Sequence, residues 1–285
     1  MTSRKITQVV SALEVTEGAG VRVFRSIGTP ARRNLDPFLM LDQFSTDDPD
    51  DYIAGFPDHP HRGFNTFTYM LDGHMRHGDS MGNRGDLRPG GAQWMKAGSG
   101  VIHSEMPQQE RGRMHGFQLW INLPAAQKMT VPEYQEIRPQ AIPEIEVDDA
   151  VLRVVAGDMN GWHGPVSDPS TQFQYLDVSL PPGGEFNHGL PENHTTFVYL
   201  FEGSASVADS GLQGRQLAVL DRGERLSVQA GSDGARFLLV AGRAIGEPIV
   251  QYGPFVMNTR TEIERALKDY SEGRLVQTKA DMINH

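Results

Sequence analysis

The sequence contains no cysteine among its 285 residues. Disulfide bonds, iron–sulfur clusters, thiolate zinc sites and cysteine nucleophiles are therefore excluded. Basic residues are also scarce relative to acidic ones, with 26 Lys and Arg against 36 Asp and Glu, and the net charge is −10. Because an acidic chain without a basic cluster repels phosphates, we expect no direct binding of nucleic acid.

Long apolar runs are absent as well. No stretch approaches the roughly 20 apolar residues that a membrane-spanning helix needs. The N-terminal residues Met1-Thr2-Ser3-Arg4-Lys5 lead into an alternating polar segment rather than the apolar core of a signal peptide. With 38% hydrophobic and 22% charged residues, the composition is typical of a globular protein. These features favour a cytoplasmic protein without a membrane anchor.

Helical periodicity is rare, and it is clear only near the C-terminus. The 31 Gly and 18 Pro are scattered along the chain, which is typical of many short strands joined by turns. We therefore predict an all-β protein with one short C-terminal helix. That helix should begin at Thr259, because Thr259 and Glu262 have the spacing of a capping box, and Gly273 can end it.

Two segments of the chain resemble each other. Residues 64–73 and 194–203 both contain Thr-Phe-x-Tyr, two apolar residues, an acidic residue and Gly. Strand-forming residues that run into a glycine turn in both halves indicate an internal duplication. We therefore predict two tandem β-barrels, one in residues 1–135 and one in residues 136–285.

Metal-ligating residue types form two short clusters in the first half. The first is His59-Pro60-His61 and the second is His103-Ser104-Glu105. The side-chain period of a strand is two, so both members of each pair leave their strand on the same side. If the two strands face each other inside a barrel, three imidazoles and one carboxylate converge. Such a ligand set suits a first-row divalent metal and, with open positions, non-heme iron and oxygen chemistry.

The other histidines have weaker claims to a metal. An isolated His-x-His pair also occurs in turns and on exposed strands, so the second cluster carries much of the argument. His74 and His77 follow the Gly73 turn, which predicts exposed side chains. When the two halves are aligned on Thr-Phe-x-Tyr, Gly189 and Pro191 replace the first histidine pair. We therefore expect the second barrel to bind no metal.

Five motifs carry a family resemblance. Residues 59–64 (HPHRGF), 93–100 (QWMKAGSG), 103–107 (HSEMP), 116–124 (GFQLWINLP) and 246–259 (GEPIVQYGPFVMNT) resemble the pirin family of the cupin superfamily. This resemblance covers nearly the whole chain. It implies a bicupin, with two jelly-roll barrels packed face to face, and one metal in the N-terminal barrel. The family's ligand pattern falls on His59, His61, His103 and Glu105, and Fe(II) is the favoured ion, although Mn, Co, Ni, Cu and Zn suit the same ligands.

The resemblance also implies a function. Several family members are similar to quercetin 2,3-dioxygenases, which open a flavonol ring with O2 and release carbon monoxide. Others are similar to regulators, and the alternative is a non-catalytic redox sensor that binds a protein partner through a surface dependent on the metal's oxidation state. A monomer is consistent with two barrels that bury surface against each other.

Three residues have roles to be tested under the dioxygenase hypothesis. Glu105 is the catalytic candidate, because it can take the substrate's proton if its bond to the metal loosens. Asn65 stands where the family commonly has Glu, and Asn65 can hydrogen-bond to a metal ligand or a bound water but cannot act as a base. Arg62 is expected either to anchor a neighbouring carboxylate or to orient the substrate.

Overall fold

The computed structural model describes residues 2–208, 210–277 and 281–282. The chain forms two compact units, and each is assembled from separate segments. We call the first barrel the unit made of Glu14–Gly28, Phe38–Pro139 and Ile245–His285. The second barrel is made of Met1–Leu13, Thr29–Pro37 and Gln140–Ala244. The predicted domain boundary, with one repeat in residues 1–135 and the other in residues 136–285, stays a prediction.

Strands dominate the described residues, which confirms the all-β prediction. The strands of the first half are β1 Ile6–Ser11, β2 Leu13–Glu17, β3 Val21–Ile27, β4 Phe38–Thr46, β5 Phe56–His61, β6 Phe64–Asp72, β7 Met75–Asp79, β8 Arg84–Leu87, β9 Ala92–Lys96, β10 Val101–Pro107, β11 Met114–Asn122 and β12 Glu133–Ile137. Short 3₁₀ helices lie at Pro49–Asp51, Ala125–Gln127 and Pro139–Ala141.

The second half continues in the same way and ends with the helix. Its elements are β13 Glu144–Val147, β14 Ala150–Ala156, β15 Asp158–Met159, β16 Trp162–His163, β17 Gln174–Leu180, β18 Glu185–Gly189, β19 His194–Val207, β20 Ser210–Gln213, β21 Gln216–Leu220, β22 Arg225–Arg243, β23 Val250–Tyr252, β24 Phe255–Met257, α1 Arg260–Ser271 and β25 Asp281–Met282. Among the described residues, no helix has the length and apolar character needed to span a membrane.

Two sheets hold most strands of the first barrel, and β23 and β24 form a further two-stranded sheet. One sheet has the strand order β2-β3-β4-β11-β6-β9-β12-β25, in which only the last pair is parallel, and the other has the order β5-β10-β7-β8. Side chains of the two sheets meet inside the unit. The Trp120 ring on β11, for example, lies 5.2 Å from the His61 ring on β5, measured between ring centroids. The space between the sheets is therefore where buried polar groups can meet.

The second barrel has a different interior. Its main sheet has the order β1-β21-β19-β22-β17-β14-β13, with β18 paired to β22 and β20 to β19. Its core is filled by apolar side chains, among them Leu152, Val178, Phe186, Leu200 and Phe237. Strand β19 carries the second Thr-Phe-x-Tyr segment between β21 and β22, just as β6 carries the first between β9 and β11. The two similar segments thus occupy corresponding central positions, as the duplication predicts.

The predicted helix is confirmed. The Thr259 side chain accepts a hydrogen bond from the Glu262 backbone N–H, and the Glu262 carboxylate accepts one from the Thr259 backbone N–H. Ile263 and Ala266 lie on the buried face of α1. They pack with Phe255, Met257 and Leu275 in the first barrel. The helix is therefore held by its apolar face and begins at the capping box read from the sequence.

Candidate metal centre

Two neighbouring strands of the smaller sheet carry the candidate ligands. Strands β5 and β10 are antiparallel partners, and His59 lies directly opposite His103 in their register. His61 lies two residues from His59, so the alternation of side chains places both on one face. The spacing of the candidate ligands suggests two strands that face each other across a barrel. In the structure they are adjacent in one sheet, and their side chains meet because neighbouring strands lie less than 5 Å apart.

The three histidines form one compact group. One ring nitrogen from each of His59, His61 and His103 lies within 4.8 Å of the others. The ring centroids of His59 and His103 are 4.3 Å apart, and those of His61 and His103 are 4.9 Å apart. Among the described residues, this is the group of His, Asp or Glu side chains close enough to share a metal ion.

The chemistry of the donor atoms fits a metal. His61 Nδ1 and His103 Nε2 are buried without a hydrogen-bond partner, and such orphaned atoms are costly unless something binds them. His59 Nδ1 lies 2.8 Å from the Pro57 carbonyl oxygen, so Nδ1 donates and Nε2 is the nitrogen available to a metal. Burial, together with the neighbouring imidazoles, lowers the pKa of His61 and of His103 well below its ordinary value. Neutral imidazole is the form that binds divalent metals.

Glu105 is buried next to this group but is held by other side chains. Its carboxylate accepts hydrogen bonds from the side-chain amides of Gln93 and Gln118, the latter at 2.8 Å. Thr68 Oγ1 lies 3.4 Å from Oε1. A register shift separates His103 from Glu105 in the pairing of β10 with β5, and Glu105 is not within the 4.8 Å group. Its role as a fourth ligand stays a prediction.

Asn65 lies on the other side of its strand. Strand β6 turns Phe64 towards His61, with ring centroids 5.0 Å apart, and Thr68 towards Glu105. Since side chains alternate along a strand, Asn65 shares the opposite face with Phe67. By this alternation the Asn65 side chain leaves β6 on the face opposite Phe64 and Thr68, and its role as a partner of the metal ligands stays a prediction.

Arg62 is directed at the C-terminal segment. Its buried guanidinium donates to the Ser99 carbonyl oxygen at 2.6 Å, to Asp269 Oδ2 at 2.9 Å and to the Leu275 carbonyl oxygen at 3.4 Å. Asp269 belongs to α1. Of the two roles considered, these contacts support the anchoring of a neighbouring carboxylate, and through it the attachment of the helix to the first barrel.

The expected exposure of His77 is wrong. The His77 side chain is 1% exposed, and so is its neighbour Asp79. The turn after Gly73 does not bring the whole hairpin to the surface, because β7 pairs with β10 and directs alternate side chains inwards. His74, three residues earlier, has a side chain that is 20% exposed, and its Nε2 lies 2.8 Å from Asp86 Oδ1. His77 thus belongs to the interior that contains the candidate ligands.

A cavity of about 520 Å³ opens beside the histidines. His59 and His61 line it together with apolar side chains (Met40, Phe56 and Trp120) and polar ones (Arg25, Asp42 and Gln118). Arg25 and Asp42 form a bidentate ion pair with distances of 2.8 and 2.7 Å. A largely apolar pocket with a few fixed polar groups is typical of small-molecule sites. All these residues belong to the first barrel.

The corresponding positions of the second barrel carry no ligating side chains. Gly189 and Pro191 stand there, as read from the sequence alignment of the two halves. The neighbouring His188 is buried and lies 2.8 Å from Gln174 Oε1. Burial lowers the pKa of His188 to about 4. The absence of a metal from the second barrel stays a prediction.

Comparison with known proteins gives one consistent answer. The sequence model for pirin matches residues 20–121, and the model for the pirin C-terminal cupin domain matches residues 175–276. A putative quercetin 2,3-dioxygenase of Pseudomonas aeruginosa is 49% identical over 280 residues, which cover 95% of this chain and 98% of that protein. A pirin-like protein of Caulobacter vibrioides is 46% identical over 276 residues, with coverage of 96% and 100%.

A solved structure agrees with these relatives. The crystal structure of a quercetin 2,3-dioxygenase from Acinetobacter baumannii superimposes with a TM-score of 0.90 at 34% identity and covers 96% of this chain and 99% of that one. Together with the two matching cupin models, it confirms the predicted bicupin architecture.

Proposed function

Since this chain belongs to the pirin family of the cupin superfamily, we propose that it is a metal-dependent dioxygenase that opens a flavonol ring with O2. The observation that carries the proposal is the group of three histidines within 4.8 Å, two of which, His59 and His61, line a cavity of about 520 Å³. The relatives named quercetin 2,3-dioxygenase support the choice of reaction.

The proposed ligands are His59, His61, His103 and Glu105, and Fe(II) is the proposed ion. The three imidazoles are neutral nitrogen donors, and Glu105 would add one negative charge. A divalent metal held by this set would supply positive charge that polarises a substrate oxygen and favours its deprotonated form. Hydrogen bonds from Gln93 and Gln118 each use one oxygen of the Glu105 carboxylate, and the remaining lone pairs could bind the metal.

The cavity accounts for the proposed substrate class. A flavonol is flat and aromatic, and its rings can lie against Phe56, Met40 and Trp120. The Trp120 indole is held in place because it packs on Phe64 with ring centroids 4.3 Å apart and donates to Gln118 Oε1 at 3.2 Å. The Arg25–Asp42 pair is fixed at the same wall and offers a donor and an acceptor to the hydroxyl groups that a polyphenol carries.

Glu105 is the proposed acceptor of the substrate's hydroxyl proton. Gln118 both lines the cavity and donates to Glu105 Oε2 at 2.8 Å, so this carboxylate oxygen lies one side chain away from the substrate space. A base must come within hydrogen-bond reach of the proton it removes. Movement of the Gln118 amide would provide that reach.

The test is oxygen uptake with quercetin by the Fe(II)-loaded protein and by His103→Ala. The variant should lose bound iron, measured by elemental analysis, and turnover should fall by about 100-fold or more, because the loss of even an outer partner of a metal ligand commonly costs 10- to 100-fold. His74→Ala is the matched control, since His74 is a histidine of the same barrel that binds Asp86 at the surface. It should keep both iron and turnover.

Two results would contradict the proposal. Turnover by protein stripped of metal would show that the histidines are not needed for the reaction. Iron bound at the histidines without oxygen uptake, over a series of flavonols, would replace the dioxygenase with the metal-dependent regulator considered from the sequence.

A further inference from the structure

A buried chain of side chains leads away from His103. His103 Nδ1 lies 3.4 Å from His77 Nδ1, and His77 Nε2 lies 3.3 Å from Asp79 Oδ2. The register of β10 with β7 places His103 opposite Asp79 and Glu105 opposite His77. The side chains of His103, His77 and Asp79 are therefore all on the inner face of the smaller sheet, beside the candidate ligands.

Asp79 can only accept hydrogen bonds at this position. Its Oδ1 accepts from the backbone N–H groups of Met81 and Asn83 at 2.9 and 3.0 Å. Its Oδ2 accepts from the Asn83 side-chain amide at 2.9 Å. Three donors around one carboxylate leave no acceptor in its surroundings, so the contact to His77 requires a proton on His77 Nε2.

This proton decides which nitrogen of His103 is free. A neutral imidazole that carries its proton on Nε2 has a lone pair on Nδ1. In a neutral His77, Nδ1 would therefore be the acceptor, and His103 would donate from Nδ1 and keep the lone pair on Nε2. His103 Nε2 is the buried atom that has no hydrogen-bond partner in the structure. The chain of contacts thus prepares one nitrogen, facing the other histidines, as a ligand.

Tyr134 holds the middle of the chain in place. Its ring stacks on His77 with centroids 4.2 Å apart and an angle of 12° between the planes. Its hydroxyl lies 3.4 Å from Gln93 Oε1, and Gln93 donates its amide to Glu105. Gly85 makes room for this ring, since a Cβ there would lie 1.8 Å from the Tyr134 oxygen. One residue therefore touches the partners of both His103 and Glu105.

We infer that His77 and Asp79 are positioning residues for the metal, with Asp79 acting through His77 to fix the tautomer and orientation of His103. This inference rests on the proposed metal site and deepens it. Metal-bound histidines commonly donate their second nitrogen to a carboxylate or carbonyl oxygen, whereas here an imidazole is interposed between the ligand and the carboxylate.

Asp79→Asn is the sharpest variant. The amide oxygen of Asn would stay with the two backbone N–H groups, so its NH₂ group would face His77. His77 Nε2 would then have to accept, Nδ1 would carry the proton, and His103 would be driven to the tautomer whose Nε2 cannot bind a metal. His77→Phe is the second variant, because Phe keeps a ring against Tyr134 while it removes both nitrogens.

The experiment measures the dissociation constant for Co(II), in competition with a chromophoric chelator, together with the visible spectrum of the bound ion. Each variant should bind about 10- to 100-fold more weakly than the wild type. In the His77→Phe background, Asp79→Asn should add no more than about 2-fold, since Asp79 acts through His77. His74→Gln and Asp86→Asn are the controls, because they alter a surface His–Asp pair of the same barrel.

The outcomes separate the two proposals. The inference would be overturned if His77→Phe bound Co(II) as tightly as the wild type does. It would also be overturned if Asp79→Asn weakened Co(II) binding equally with and without His77→Phe, because a merely structural role of Asp79 would not depend on His77. Failure of the wild type itself to bind Co(II) or Fe(II) would overturn the proposed function, and the inference with it. Thermal unfolding of each metal-free variant shows whether that variant folds. If one variant does not fold, the Co(II) affinity of the other tests the inference.

Discussion

At the scale of single residues, Lys128 shows how a buried charge can be stabilised without a carboxylate partner. Its Nζ donates to the Gly63 carbonyl oxygen at 2.7 Å, to Asn122 Oδ1 at 2.6 Å and to the Val256 carbonyl oxygen at 3.1 Å. Burial lowers the pKa of Lys128 from 10.5 to about 8, against the opposing effect of Glu247 and Glu262. The lysine therefore connects three segments of the first barrel, and it loses its proton at a lower pH than an exposed lysine.

Lys128→Met should destabilise the protein by about 2 kcal/mol at pH 7.5, because three buried acceptors lose their donor. The difference should grow with pH. Between pH 8 and pH 10.5 the unfolded chain binds more protons at this lysine than the folded one, so the wild type gains stability there as the pH rises. Urea unfolding of both proteins at pH 7.5 and pH 9.5 checks this. A difference that shrinks at the higher pH would contradict it.

The residues around the candidate metal site differ in how well their roles can be predicted from the sequence. His59, His61 and His103 could be found because a spacing of two on a strand places side chains together. The sequence did not indicate that Gln93 and Gln118 hydrogen-bond to Glu105. Each is a polar residue within an apolar strand, and this pattern is typical of a side chain that donates or accepts a hydrogen bond inside the barrel. His77 was misjudged because exposure after a turn depends on which strand the hairpin joins, and that pairing is set by distant residues.

At the scale of elements, the helix α1 is an example of local and long-range forces in agreement. Its start is fixed by the capping box of Thr259 and Glu262, and its docking by Ile263, Ala266 and Asp269. The capping box could be read from the sequence because it depends on residues three apart. The ion pair of Asp269 with Arg62 could not be predicted in this way, since Arg62 lies some 200 positions earlier in the chain.

Thr259→Ala should reduce the free energy of unfolding by about 1 kcal/mol, because one N-terminal N–H loses its acceptor. Thr259→Ser keeps the hydroxyl and should restore most of the stability. Thermal or urea unfolding of the two variants gives the comparison. Equal destabilisation by Ala and Ser would show that the methyl group, rather than the cap, is what matters.

At the scale of the whole molecule, the barrels share the chain in an interleaved order. Strand β1 at the N-terminus belongs to the second barrel, where it pairs with β21, and the C-terminal segment from Ile245 belongs to the first barrel. The duplication was visible in the sequence because each repeat keeps Thr-Phe-x-Tyr. The exchange of terminal segments between the barrels could not be predicted from the sequence, since it depends on contacts between residues far apart in the chain, such as the pairing of β1 with β21.

A chain that ends at Ala244 should lose the first barrel selectively. It lacks Asp269 and Leu275, which bind Arg62, and Val256, which binds Lys128, yet it keeps every segment of the second barrel. Hydrogen exchange should show rapid exchange in β5 and β10 and protection in β19 and β22. A chain that begins at Glu14 is the reciprocal control. Full protection of β5 and β10 in the chain ending at Ala244 would contradict this prediction.

The interleaving also sets an order of assembly during translation. Domains usually fold as they leave the ribosome, beginning with the N-terminal one. Here the last segment of the second barrel ends at Ala244, whereas the first barrel still awaits Ile245–His285. The barrel that carries His59, His61 and His103 is thus the last to be completed, although its histidines are synthesised early. Nascent chains would complete the barrel around the proposed ligands only after Ile245–His285 has been made, so an ion bound by those histidines would mark a chain that extends beyond Ala244.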